Sequence, residues 1–183
     1  MPKVKKDVKG NIKSESITFR IEKPILDELR SEADQKMESV NTLVNQIIKS
    51  YIHWHKPAKK AGLGYFSKVL LAESMNRLTD EQVMEITEEF CNHHLKDISN
   101  MLRTSNTFSS FMSGLRSWLD SSGYNFRYDI SNGMDIYVIQ FDLGKNFSLY
   151  FKTQMQLVFR QFNLKNAAAE MTDNTVILKM TIQ

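Results

Sequence analysis

Between Ser16 and Trp54 the chain reads as one short alternating segment followed by two amphipathic helices, a set that cannot close a core alone. Ile17, Phe19 and Ile21 fall on one side of the segment, and Ser16, Thr18, Arg20 and Glu22 on the other, the period of a half-buried strand. Lys23-Pro24 ends it, and proline in a first helical turn forfeits no helical hydrogen bond, so a helix is predicted from here. Leu26, Leu29 and Ala33 give that helix an apolar stripe; Glu28, Arg30, Glu32 and Asp34 give it a wet side. A break at Lys36-Met37-Glu38 precedes Ser39, which reads as an N-cap. Val40, Leu43, Val44, Ile47, Ile48, Tyr51 and Ile52 then recur at helical spacing. A lone strand has two unpaired edges, and about 40 residues make a thin core. A second copy supplies both needs: two strands pair antiparallel, and four helices interleave beneath them.

Ser16–Glu22, the turn, and Ser39-Val40-Asn41-Thr42-Leu43-Val44-Asn45 resemble the ribbon-helix-helix DNA-binding proteins, the group of the Arc, methionine and CopG repressors. The helix from Asn41 to Trp54 is similar to that of archaeal members. The resemblance implies that the outward side chains of the paired strands, Ser16, Thr18 and Arg20, read base edges in the major groove. Arginine can fork onto guanine, and small hydroxyls can donate to or accept from several bases. It further implies that backbone amides at Ser39, Val40 and Asn41 grip a phosphate, where a helix N-terminus has free N–H groups and a favourable dipole. The family often has glycine in the turn before that N-cap, and this chain has Met37. A positive φ there costs methionine about 1 kcal/mol.

Charge placement agrees. Residues 1–64 hold 13 Lys/Arg and 8 Asp/Glu, for +5, and residues 65–183 hold 11 and 13, for −2. Residues 1–14 form a basic, nearly apolar-free arm whose Lys3, Lys5 and Lys6 can neutralise DNA phosphates and release counterions; a solvated tail is the plain alternative. Residues 15–55 are then the DNA-binding domain. Pro57 is expected to end its last helix, and Trp54 to anchor that helix end. Residues 56–77, basic and glycine-containing, read as a linker, with Tyr65–Ala72 a strand or a helix.

From residue 78 to 183 the pattern is that of a compact α+β domain with a small antiparallel sheet. Thr79-Asp80-Glu81-Gln82 is a capping box, opening a helix with Val83, Ile86, Phe90 and His94 on its inner side. A second helix spans Phe108 to Leu119 and stops at Gly123. Asn132-Gly133 joins the runs Tyr124–Ser131 and Met134–Leu143 as a hairpin. A third helix from Asn146 to Phe162 precedes a strand pair, Ala167–Met171 and Thr175–Ile182.

No apolar run approaches the roughly 18 residues of a membrane span and no signal-peptide pattern is present, so no membrane partner is expected. The single cysteine excludes an internal disulfide framework and fits the cytoplasm. Cys91, His93 and His94 share one helical turn, with His53 and His55 upstream, but further Cys and His ligands are too few for a zinc or nickel sensor. No metal or other cofactor is expected. Asp129, Asp135 and Asp142 suit strand ends, and no phosphate loop, nucleophile elbow or zinc-protease helix occurs, so no catalysis is expected either. Phe108, Phe111, Trp118, Phe147, Tyr150, Phe151, Phe159 and Phe162, with Met112 and Met155, make a core or line a ligand pocket.

The expectation is therefore a homodimeric, sequence-specific transcriptional regulator of double-stranded DNA, such as a repressor. Its second domain senses a small-molecule effector or builds a higher oligomer. The alternatives are an antitoxin-type regulator whose second domain binds a protein partner, and an enzyme tethered to DNA.

Overall fold

Pro24 opens α1, Lys23–Gln35, in the computed structural model, which describes residues 14–102 and 105–181. Ala33 is the buried residue of α1 and Leu43 that of α2, Val40–Ser50. The helices are joined as the sequence predicts. Ser39 caps α2, its Oγ accepting from the Thr42 backbone N–H at 3.0 Å. Just before it, the Met37 N–H donates to the Asp34 carbonyl at 3.0 Å and the Glu38 N–H to the Ala33 carbonyl at 2.9 Å, the pair of bonds that closes a Schellman helix end. That closure puts Met37 at φ 54°, where a Cβ is crowded. The Met37 side chain is 94% exposed, so it recovers nothing by packing. Met37→Gly is expected to raise stability by about 1 kcal/mol, and Met37→Ala to leave it near wild type. Thermal unfolding of both variants checks this; a Met37→Gly variant that melts no higher removes the strain argument.

Residues 14–22 carry no strand within a single chain, and the reading of Ser16–Glu22 places its pairing with a second copy. A strand is a hydrogen-bonding relation between two segments, and no strand of the described sheet pairs with this one.

The chain divides into two compact units, and the division falls between Asn45 and Gln46, inside α2. Pro57 does not end the helix. A π-helical turn over Tyr51–His55 widens the spiral, the Lys56 N–H donating to the Tyr51 carbonyl, and α3, Lys56–Lys60, follows with Pro57 near its start. Proline breaks an α-helix by lacking an N–H and clashing with the carbonyl four residues back; a π turn relaxes both demands. The stretch read as a linker is thus partly helical: α3, then α4, Lys68–Met75, with Ala58 buried. Trp54 is buried too, as its anchoring role required.

The capping box forms as written: the Gln82 N–H donates to Thr79 Oγ1 at 3.3 Å and the Thr79 N–H to Gln82 Oε1 at 2.9 Å, opening α5, Asp80–Phe90. A second π turn, Cys91–Leu95, carries α5 into α6, Lys96–Leu102. The turn shifts the inner face beyond it: Leu95 is buried, whereas His94, expected inside, is exposed. Ahead of the turn, within α5, Thr87 is buried and Ile86, also expected inside, is exposed.

α7, Phe108–Ser121, ends at Gly123 as predicted, with φ 62°. β1, Asn125–Ser131, and β2, Met134–Gln140, meet at Asn132-Gly133, both at positive φ as a two-residue hairpin turn demands. α8, Lys145–Gln161, precedes β3, Ala167–Met171, and β4, Thr175–Met180. The strands make one four-stranded antiparallel sheet in the order β1-β2-β4-β3. α8 packs on β3 and β4, and also on α5. Between sheet and helices lie Leu119, Tyr137, Ile139, Val158, Val176, Leu178 and Met180, all buried. Phe141 sits among rings: Phe151 at 4.7 Å, Phe147 at 5.0 Å, Tyr124 at 5.1 Å and Trp118 at 6.1 Å between centroids. Buried Asn146 ties α8 to the end of α4, its Nδ2 donating to the carbonyls of Met75 at 2.8 Å and Leu78 at 2.7 Å. The second unit is thus the α+β domain expected, with its helical part beginning before residue 78.

Candidate nucleic-acid interface

Two sets of residues carry the DNA-reading expectation, and both lie in the first unit. Ser16, Thr18 and Arg20 are exposed, and Arg20 makes no ion pair or hydrogen bond among the described residues. Its guanidinium N–H donors thus have no partner among the described residues. Lys3, Lys5 and Lys6 lie outside the described residues.

The second set sits at the start of α2. Ser39 and Asn41 are exposed, and Val40 is half-buried. The Ser39 hydroxyl spans to Thr42 Oγ1 at 2.8 Å, and Asn45 Nδ2 donates back to the Asn41 carbonyl at 2.8 Å. These bonds stiffen the first turn. The first N–H groups of any helix lack an acceptor within it, and Val40 and Asn41 carry two of these in α2. No acidic residue stands in the first turn of α2 to compete for an anion. Among the described residues no hydrogen bond joins the two sets.

Each unit also exposes apolar side chains. Ile17 is 74% exposed and Phe19 53%, and Ile21 and Ile25 are exposed too. On α2 and the π turn that continues it, Ile47, Ile48, Tyr51 and Ile52 are each exposed at about half their surface. Isolated exposed apolar residues are ordinary; here four fall within residues 17–25 of the first unit and four within residues 47–52 of the second.

Cys91 is half-buried, and burial with the nearby Glu88 carboxylate pushes its thiol up to about 11, which makes it a poor ligand or nucleophile at neutral pH. His93 and His94 are exposed beside it, and no group of three or more His, Cys, Asp or Glu could hold a metal ion among the described residues. His55 Nδ1 instead pairs with the Tyr65 hydroxyl at 2.9 Å. Asp142 accepts from Gln140 Nε2 at 3.1 Å, and Asp129 accepts from the Ile130 backbone at 2.8 Å.

One polar cluster escaped sequence reasoning. Arg116 Nε donates to the buried Tyr137 hydroxyl at 2.7 Å, and its guanidinium lies 4.8 Å from the Tyr128 ring centre. The Tyr128 hydroxyl donates to the Asp135 carboxylate, and that bond holds its phenol above the ordinary range. A tyrosine so held stays protonated and cannot serve as a base; the cluster satisfies a buried hydroxyl on the helix-facing side of the sheet. The available signal was Arg116 itself, a charge at helical spacing between Met112 and Leu119 on the apolar stripe of α7.

No protein-family model, no curated protein and no solved structure matches this chain. Among the described residues no helix is long and apolar enough to cross a membrane.

Proposed function

We propose that this chain is a homodimeric, sequence-specific DNA-binding regulator of transcription that acts in the cytoplasm. The observation that carries the reading is the outward apolar run Ile17, Phe19 and Ile21, exposed in a single copy and alternating with Ser16, Thr18 and Arg20. In a dimer the two segments pair as an antiparallel ribbon. The apolar side turns onto the helices, the exposed apolar face of α2 is covered, and the polar side is left to enter the major groove. The capped start of α2 then grips the backbone through the Val40 and Asn41 amides. The positive charge concentrated in residues 1–64 supports the same partner. The α+β domain senses an effector or extends the assembly.

Two-fold symmetry of the dimer requires a palindromic or repeated half-site. Selection of bound duplexes from a random pool with the full-length protein is expected to enrich a sequence containing two copies of a short half-site. Sedimentation of the same preparation is expected to show dimers. A folded monomer at micromolar concentration, or a pool that stays random at low salt, rejects this reading.

A further inference from the structure

The α+β unit contains a pocket of about 200 Å³. Its walls come from the π turn that carries Trp54, from α5 and α6, from α7 and from α8. Rings of Trp54, Phe90, Phe111, Trp118 and Tyr150 line it, with the Gln154 amide among them. Among the described residues no charged side chain lines it. An ionised guest would lose its hydration here without gaining a partner, so the site selects against charge.

Gly114 is the second observation. It stands mid-helix in α7, where glycine is less stable than alanine. A Cβ built on it would meet nothing within 4 Å, so no neighbouring group requires its absence. Gly114 lines the pocket. A glycine that weakens its helix and relieves no crowding keeps space open for something else.

We infer that this pocket binds a small uncharged ring compound, of one or two rings, with a polar atom addressed by the Gln154 amide. The size follows from the volume: an apolar cavity of about 150 Å³ accommodates benzene, and this one is somewhat larger. It is too small for a helix or strand of a partner protein. The aromatic walls favour a flat guest through offset and edge-to-face contacts. Gln154 offers both a donor and an acceptor, which fixes orientation without demanding charge. The binding itself does not depend on DNA. Its regulatory meaning rests on the reading above, because Trp54 is borne on the helical run that begins at Val40.

The protein has two tryptophans, Trp54 and Trp118, and both line the pocket, so intrinsic fluorescence reports occupancy directly. The test titrates the full-length protein, without DNA, with benzyl alcohol and with benzoate, which keep one ring and differ in charge. Benzyl alcohol is expected to shift tryptophan emission saturably, and benzoate to bind at least about tenfold more weakly. Gly114→Ala is expected to raise the melting temperature and yet weaken benzyl alcohol several-fold, opposite signs that a purely structural role of Gly114 does not give. Gly114→Leu is expected to abolish the response in a protein whose circular dichroism is unchanged. The inference is overturned if the wild type shows no saturable shift or if benzoate binds as well as benzyl alcohol. It is equally overturned if Gly114→Ala, the variant that keeps the fold, binds like wild type. If Gly114→Leu instead lowers self-association and leaves benzyl alcohol binding intact, the groove belongs to a second copy of the chain and the inference falls. None of these outcomes bears on whether residues 16–20 read DNA.

Discussion

Replacing Phe141 by alanine is expected to cost about 3–5 kcal/mol, the range for deleting a buried aromatic ring. Phe141 is 2% exposed, and four rings stand within about 6 Å of its centre. These come from α7, from the turn after it and from α8, so the cavity would open where three separate segments meet. Rings of that bulk cannot all swing inward, and little of the space would be refilled. The backbone should hold its place, since the Phe141 N–H donates to the Asn174 carbonyl at 2.9 Å. Domains of this size are stable by roughly 5–15 kcal/mol, so the loss removes a large part of the total. Phe141→Leu, which retains much of the volume, should lose less than half as much. Urea unfolding midpoints of the three proteins provide the measurement. A loss under about 1.5 kcal/mol for Phe141→Ala would mean the ring cluster is loose and collapses around the gap.

Arg20→Ala is expected to weaken binding to the selected operator by about 1–3 kcal/mol for each guanine left unread, and a dimer presents the residue twice. The loss on unrelated DNA should be much smaller, because bidentate pairing to guanine discriminates bases and pairing to phosphate does not. Lys5 and Lys6 make the informative contrast. Replacing both with alanine should weaken operator and random duplexes alike and lower the salt slope by about one for each phosphate no longer neutralised. A salt titration of binding, on both duplexes and for all three proteins, separates the two behaviours. Equal losses on the two DNAs for Arg20→Ala would make Arg20 a phosphate ligand and remove the major-groove assignment. A wild type that binds neither duplex would end the regulator proposal altogether.

Local signals in the sequence translated well where the physics is local. Asn132-Gly133, Thr79 with Gln82, Ser39 and Gly123 each act over three or four residues, and each forms the turn or cap it encodes. Periodicity summed over a long helix fails at the π turns. One extra residue per turn rotates everything downstream, so His94 is exposed and Leu95 buried. Pro57 continues a helix for the same reason, since the widening before it lies in no residue type. The segment Ser16–Glu22 alternates as a strand does, but pairing is a property of two segments, and periodicity describes only one. The pocket was legible as a composition of aromatic residues and not as a place. Its walls come from segments far apart in the chain, Trp54 and Gln154 among them. Gly114 gave no warning, because a lone glycine in a helical pattern reads only as a weak spot.

The strand order has a consequence for how the domain assembles. β1 with β2, and β3 with β4, are hairpins that close over short loops, so each can form early and alone. Only the pairing of β2 with β4 joins them, across the whole of α8. β4 is thus synthesised after every other element described and yet occupies an interior place in the sheet. Until it arrives, β2 presents an open hydrogen-bonding edge, and the inner faces of α7 and α8 lack Val176, Leu178 and Met180, which end up fully buried. The nascent domain therefore passes through a stage with sticky backbone and oily surface exposed together. That interval, more than the finished fold, is when this chain is most vulnerable to aggregation.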